Sequence, residues 1–227
     1  MREFFRLLDD FLRGRGRFAV GAPLAGGLRW LFAFVLAGGV FYGAVMGSFS
    51  GLEPGRFQQL AYSGLKVPLL LLATFGLCLP SFFAINSVAG LRDDFGQALQ
   101  AVVGTQACVT LVLAALAPVT AVFYASCSDY ALAVGFNGAA FALAAATAQR
   151  VVRRYYDPLI RRNPRHRTML HVWLALYVFV GIQAAWVLRP FIGDPAQPVA
   201  FFRPDAWGNA YVVVFGLIRH AFGALTP

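Results

Sequence analysis

Charge is what this chain has least of. Only 13% of its 227 residues are Asp, Glu, Lys or Arg, about half the share of an ordinary soluble domain. At 59% hydrophobic, a water-soluble fold of this size would leave large apolar patches exposed to solvent. Lysine is nearly missing: one Lys stands against 18 Arg. The three cysteines, Cys78, Cys108 and Cys127, show no CxxC or other ligand spacing, and two of them sit inside apolar runs. That excludes a disulfide framework and a cysteine metal site. His166, His171 and His220 lack the spacing of a metal site. No GxSxG, HExxH or phosphate-binding glycine loop is present. Catalytic residues, metals and cofactors are therefore expected to be absent.

Long uncharged runs are what the chain does have. Residues 30–52, 67–91, 95–128, 130–149 and 168–188 each lack charge over 20 residues or more. About 20 apolar residues suffice for a helix to cross the hydrocarbon layer. The expected fold is all-α, a single domain over 1–227: a polytopic membrane bundle with spans near 30–50, 67–89, 101–124, 130–149 and 168–188. The run at 95–128 is too long for one span, which assigns 95–100 to the interface. Residues 206–218 are too few to cross, so 206–224 reads as a short interfacial or re-entrant helix. A secretory signal peptide is not expected, because the first thirty residues hold six Arg and no sustained apolar core.

The net charge of +9 does not point to nucleic acid, because the basic residues cluster between apolar runs, where they meet lipid headgroups. With the N-terminus inside, 1–29, 90–97 and 150–167 carry 14 Arg, against five basic residues on the other side. The positive-inside rule thus places the N-terminus in the cytoplasm. In 150–167, Pro158 and Pro164 are expected to interrupt any helix. Arg153, Arg154, Arg161 and Arg162 there are candidates for lipid phosphates. Arg92-Asp93-Asp94 reads as a solvated turn with a helix N-cap.

Residues 1–14 form an amphipathic helix, with Phe4, Phe5, Leu8, Phe11 and Leu12 on one face and Arg2, Glu3, Arg6, Asp9, Asp10 and Arg13 on the other. It lies in the membrane interface or packs on the protein's own cytoplasmic loops.

Gly39, Gly43, Gly47 and Gly51 recur every four residues, a face that lets another helix approach closely. The partner is either the small-residue helix at 131–148 within the chain or another subunit. Gln106, Thr110, Ala117 and Thr120 share a face of the third span, with Asn86 ending the second and Asn137 inside the fourth. Polar groups in lipid need partners, so these either bond between helices or line a pore. Pro68, Pro80 and Pro118 are positions where helices can kink.

The most distinctive stretch begins at Gly181: Gln183, Trp186, Arg189, Pro190, Phe191, Gly193, Asp194 and Pro195, then Phe201-Phe202-Arg203 and Gly208-Asn209-Ala210-Tyr211. Trp186 marks the outer interface. Arg189 lies outside against the charge rule and is expected to be held by Asp194, by Asp205 or by a helix end. The spacing GxQxxWxLRPFxGxP, followed by FFR and GNxY, resembles a signature of uncharacterised bacterial polytopic membrane proteins over about 35 residues. KVPLLLL and LRDDFGQAL extend the resemblance. It implies a multi-pass fold and no activity. The order of five spans, with FGQAL before the third, more loosely resembles the Yip-type membrane proteins, which implies a scaffolding or trafficking role.

Three functions are compatible with these features. The first is a non-enzymatic membrane protein that packs into a homo- or hetero-oligomeric assembly. The second is a homo-oligomeric channel or small-solute transporter. The third is a lipid-binding protein or membrane enzyme that grips phosphates with 150–167. The expected partners are membrane lipids and other subunits, not nucleic acid.

Overall fold

The computed structural model describes residues 2–51, 53–204 and 206–212. Among them there is no strand, and five helices are long and apolar enough to cross a membrane. A short helix, α1 (Arg2–Arg13), precedes them; the five are α2 (Leu24–Gly47), α3 (Phe57–Val88), α4 (Phe95–Ser126), α5 (Tyr130–Arg162) and α6 (Arg165–Leu188). Residues 213–227 lie outside the described set, so the expected interfacial or re-entrant helix over 206–224 is described only over 206–212, where 206–209 form a turn and Ala210, Tyr211 and Val212 are helical.

α3, α4 and α5 extend beyond their expected spans. α3 starts ten residues before Val67 and takes in Lys66. α4 is continuous from Phe95, with Ala98 and Gln100 buried, so 95–100 belongs to the bundle and is not a separate interfacial piece. α5 passes straight through Pro158 to Arg162. Buried Tyr155, Tyr156 and Leu159 on either side of Pro158 hold that turn in place, and packing outweighs the local cost of proline. Asn163-Pro164 does end the helix and forms the turn into α6.

The helices close a ring in the order α2, α4, α5, α6, α3 and back to α2. The glycine face makes one of its seams. A Cβ on Gly43 would lie 2.9 Å from Gly64 Cα, one on Gly47 would lie 2.8 Å from Leu60 Cα, and one on Gly39 would meet Pro68 at 3.2 Å. The stripe therefore packs within the chain, but against α3 and not against the expected helix at 131–148. On α5, Gly135 and Gly138 have nothing within 4 Å of a Cβ. Gly51 is not part of the stripe: α2 has ended, and its φ of 103° serves a turn. The adjacent Gly38 seats α2 against α4, since a Cβ there would lie 2.8 Å from Thr110 O.

The inner half of the ring is filled. Tyr177 of α6 donates to Gln106 Oε1 of α4 at 2.7 Å, straight across the interior. Beside it Phe75 and Phe82 meet Trp173 edge-to-face, with ring centroids 5.9 and 4.9 Å from that of Trp173.

α1 docks on the arginine-rich end of the bundle. Leu7 and Phe11 are buried, and Phe11 meets Phe18 and Phe34. Arg154 donates to the carbonyls of Phe11 (3.3 Å) and Leu12 (2.8 Å), satisfying groups that a helix C-terminus leaves open. Phe5 and Leu12 stay exposed.

Candidate functional site

α5 and α6 meet at the arginine-rich end, where the Tyr156 and His166 rings lie 6.5 Å apart. Towards the opposite end they diverge. The space between them is a cavity of about 660 Å³, lined by Met46, Leu70, Val134, Asn137, Gly138, Phe141 and Ala185 in its depth and by Tyr130, Arg189, Phe191, Ile192, Asp194, Gln197 and Arg203 at its mouth.

The segment from 189 to 203 roofs this cavity, and a ladder on α3 holds it there. Pro190, Gly193 and Pro195 keep the segment out of regular structure, so its carbonyls need donors from elsewhere. Arg56, Gln59, Ser63 and Lys66 recur at 3-4-3 spacing on one face of α3 and its entry turn. Lys66 Nζ donates to Pro190 O at 2.8 Å. Ser63 Oγ donates to Phe191 O and accepts from Gln59 at 2.9 Å. Arg56 donates to Asp194 O (3.4 Å) and Pro195 O (2.5 Å). Lys66 is completely buried, and its ammonium also lies 4.8 Å from the centre of the Phe201 ring. A carbonyl and an aromatic face together offset part of the cost of desolvating it.

The remaining residues of the distinctive stretch are mostly spent on building this end. Gln183 clamps the chain that follows, donating to Gly208 O and accepting from Ala210 N, both at 3.0 Å. Asn209 accepts from Tyr211 N at 2.9 Å, and Tyr211 stacks on Phe179. The Arg189 guanidinium lies 3.3 Å from the centre of the Trp186 ring, a partner that was not among the expected ones. Asp194 Oδ1 accepts from Ala196 N at 2.9 Å, and Asp205 lies outside the described residues. Arg203 donates to Gln197 Oε1.

The polar residues proposed for a path are buried but sit in separate places. Asn86 bonds back to Phe82 O (2.8 Å), Gln106 is taken by Tyr177, and Thr110 bonds across to Phe34 O (3.2 Å) on α2. Asn137 alone lines the cavity. It accepts from Tyr42 (2.9 Å) and donates to Tyr124 (2.6 Å), while Thr120 bonds back to Leu116 O (3.1 Å). Asn137 is the member of this cluster that reaches the cavity wall. Tyr42, Tyr124 and Tyr177, which complete these bonds, carried no periodic signal in the sequence. Arg56, Gln59, Ser63 and Lys66 did carry one, but it falls in a stretch that charge had set aside as a loop.

At the arginine-rich end, Arg153 and Arg161 are exposed, whereas Arg154 is engaged with α1. Arg162 pairs with Asp94 at 2.6 Å. The other Asp94 oxygen lies 3.1 Å from Nε2 of buried His166. Asp94 is thus a bridge between the α3–α4 and α5–α6 turns and makes no side-chain N-cap bond. A second groove, of about 760 Å³ beside α3 and α6, is lined by Leu69, Leu77, Phe179, Val187 and Trp207 and has no charged lining residue.

Compared with family models, curated proteins and solved structures, the chain matches none.

Proposed function

We propose that this is a non-enzymatic, multi-pass protein of the bacterial cytoplasmic membrane that takes up an amphiphile in the cavity between α5 and α6. The likeness to uncharacterised membrane proteins contributes no activity, so the cavity carries the reading. Five apolar helices and the distribution of 14 basic residues against five support a cytoplasmic N-terminus. The cavity mouth then faces the outer leaflet, and α1 with its exposed Phe5 and Leu12 lies at the inner interface. A volume of about 660 Å³ lies in the range of small-ligand sites. Apolar depth beneath a polar mouth suits a ligand with a tail and a head.

The Gln106–Tyr177 bond and the edge-to-face cluster of Phe75, Trp173 and Phe82 occupy the ring interior towards the arginine-rich end, which favours binding over conduction through the ring. Gly138→Trp tests the proposal, because Gly138 lines the cavity and has open space at its Cβ. Native mass spectrometry of the full chain in mild detergent should show a retained amphiphile on wild type and none on this variant. Gly135→Trp, which also has open space but lies off the cavity, should retain it. Wild-type protein that holds no amphiphile would remove the proposal.

Assembly remains a second reading, with α5 taking the place of α2. Gly135, Ala139, Ala142 and Ala146 are exposed on α5 at 4-3-4 spacing, a face suited to close helix approach.

A further inference from the structure

We infer that the cavity is filled sideways from the outer leaflet: its occupant is an acyl chain of a bilayer phospholipid, which enters between α5 and α6. This rests on the amphiphile reading above and adds the source of the ligand and its route.

Two directions of approach are obstructed. At the arginine-rich end, α5 and α6 are joined by the Asn163-Pro164 turn, and Asp94 ties that turn to the start of α4 through Arg162 and His166. Over the cavity, the segment 189–203 is fastened to α3 and its entry turn at the carbonyls of Pro190, Phe191 and Pro195. Lifting it would break these bonds together and strip the buried Lys66 ammonium of its carbonyl partner, which is costly away from water.

The side between α5 and α6 is open. Ala185 and Arg189 line the cavity, and Val178 and Ile182 precede them at 4-3-4 spacing, which sets all four on one face of α6. Val178 is 58% exposed, and no residue of α6 between Trp173 and Leu188 is buried. On the facing edge of α5, Val134 is 46% exposed, and Gly138 has nothing within 4 Å of a Cβ. Residues 130–149 and 168–188 carry no charge, so this slit opens at the level where hydrocarbon surrounds a span.

The chemistry of the gap selects its occupant. Side chains around a void lose the contacts that packing would give them, and an apolar cavity does not hold water. Asn137, the polar residue in the depth, has its amide taken by Tyr42, Tyr124 and Ala133 O. An acyl chain from the adjoining leaflet fills the space between Met46, Leu70, Val134 and Ala185 and crosses no polar layer on the way. Its head stays at the level of the polar mouth, beside Tyr130 and Gln197.

The test uses the full chain in phosphatidylcholine vesicles doped with a phosphatidylcholine that carries a diazirine midway along one chain. Labelled residues are mapped by mass spectrometry after irradiation. Met46 is the reporter, because it lines the cavity and is only 4% exposed; exposed Leu77 reports ordinary contact with lipid. Wild type should be labelled at both. Val178→Trp narrows the slit at an exposed position and should lower Met46 labelling several-fold while leaving Leu77 labelling unchanged, a contrast that misfolding does not produce. Lys66→Met loosens the roof and should leave Met46 labelling as it is. Labelling at Leu77 without Met46 overturns the lipid assignment. Met46 labelling that is unaffected by Val178→Trp, or that rises in Lys66→Met, overturns the lateral route. A diazirine-bearing fatty acid added to the protein in dodecyl maltoside separates the two proposals: if it labels Met46 where the bilayer lipid does not, the amphiphile cavity stands and the leaflet source falls, and if neither probe labels Met46, both fall.

Discussion

Gly43→Ala adds a single methyl at the closest approach of two helices, and its cost can be worked from the structure. The new Cβ would overlap the Ser63 carbonyl oxygen and lie 2.9 Å from Gly64 Cα, while carbon atoms rest at about 3.5–4.0 Å. The obstructing atoms are backbone, so no side chain can swing aside. α2 and α3 must part by roughly 0.6–1 Å, which forfeits a quarter to a half of the attraction along the seam. Overpacking of this kind costs about 1–3 kcal/mol, partly offset by the roughly 1 kcal/mol that Ala gains over Gly inside a helix. Gly135→Ala takes the same helical gain with nothing within 4 Å, so that gain cancels and the two variants should differ by about 1–3 kcal/mol. At about 2–4 °C per kcal/mol for a chain of this size, their melting temperatures should differ by roughly 2–12 °C. A thiol-reactive dye in mild detergent reads the transition through Cys78 and Cys108, which are buried, in a background where the partly exposed Cys127 is Ser. Gly47→Ala should resemble Gly43→Ala, whereas Gly39→Ala should be milder because its neighbour is the Pro68 ring. Equal melting temperatures for Gly43→Ala and Gly135→Ala would refute the α2–α3 seam. A variant that melts normally but loses an oligomer would return the stripe to contact between subunits.

Two further substitutions test other parts of the architecture. Lys66→Met removes the donor to Pro190 O while keeping an unbranched apolar stem. Amide exchange over 191–197 should accelerate by about five- to tenfold, the value of one buried hydrogen bond, with the helices unchanged; unaltered exchange would show that the ladder does not hold the segment. Ala142→Leu on the exposed face of α5 should dissociate any oligomer seen by size-exclusion chromatography with light scattering without lowering the melting temperature, and an oligomer that persisted would end the assembly reading through this face.

The number of long helices was legible because length and the absence of charge are local properties, and five uncharged runs correspond to five helices. The helix ends were less legible. Lys66 precedes the uncharged run that starts at residue 67, yet it lies within α3, where a carbonyl 124 residues away accepts its hydrogen bond. Pro158 was read as a break, yet buried tyrosines beside it carry α5 onward. The stripe at Gly39, Gly43 and Gly47 announced close packing, because removing side chains has one steric consequence whatever the partner. Which helix would approach could not be read from spacing, since α3 and α5 are both rich in small residues.

The candidate site divides in the same way. The stretch from Gln183 to Asn209 was distinctive in sequence, and Arg189 outside the membrane was anomalous by charge alone. The cavity depended on the fold: it exists because α5 and α6 are joined at one end and splay at the other, and because α3 presents four donors to carbonyls far along the chain. Asn137 became part of a cavity wall only when Tyr42 and Tyr124 reached it. By itself the sequence determined the helical class, the five apolar helices and the distribution of charge between their ends, all of which follow from each segment's own composition and period. The tertiary structure decided which faces meet, which polar groups are spent on packing and where space is left over. Those outcomes depend on the relative placement of residues on different helices, from Gly43 beside Gly64 to Lys66 beside Pro190, which no local period encodes.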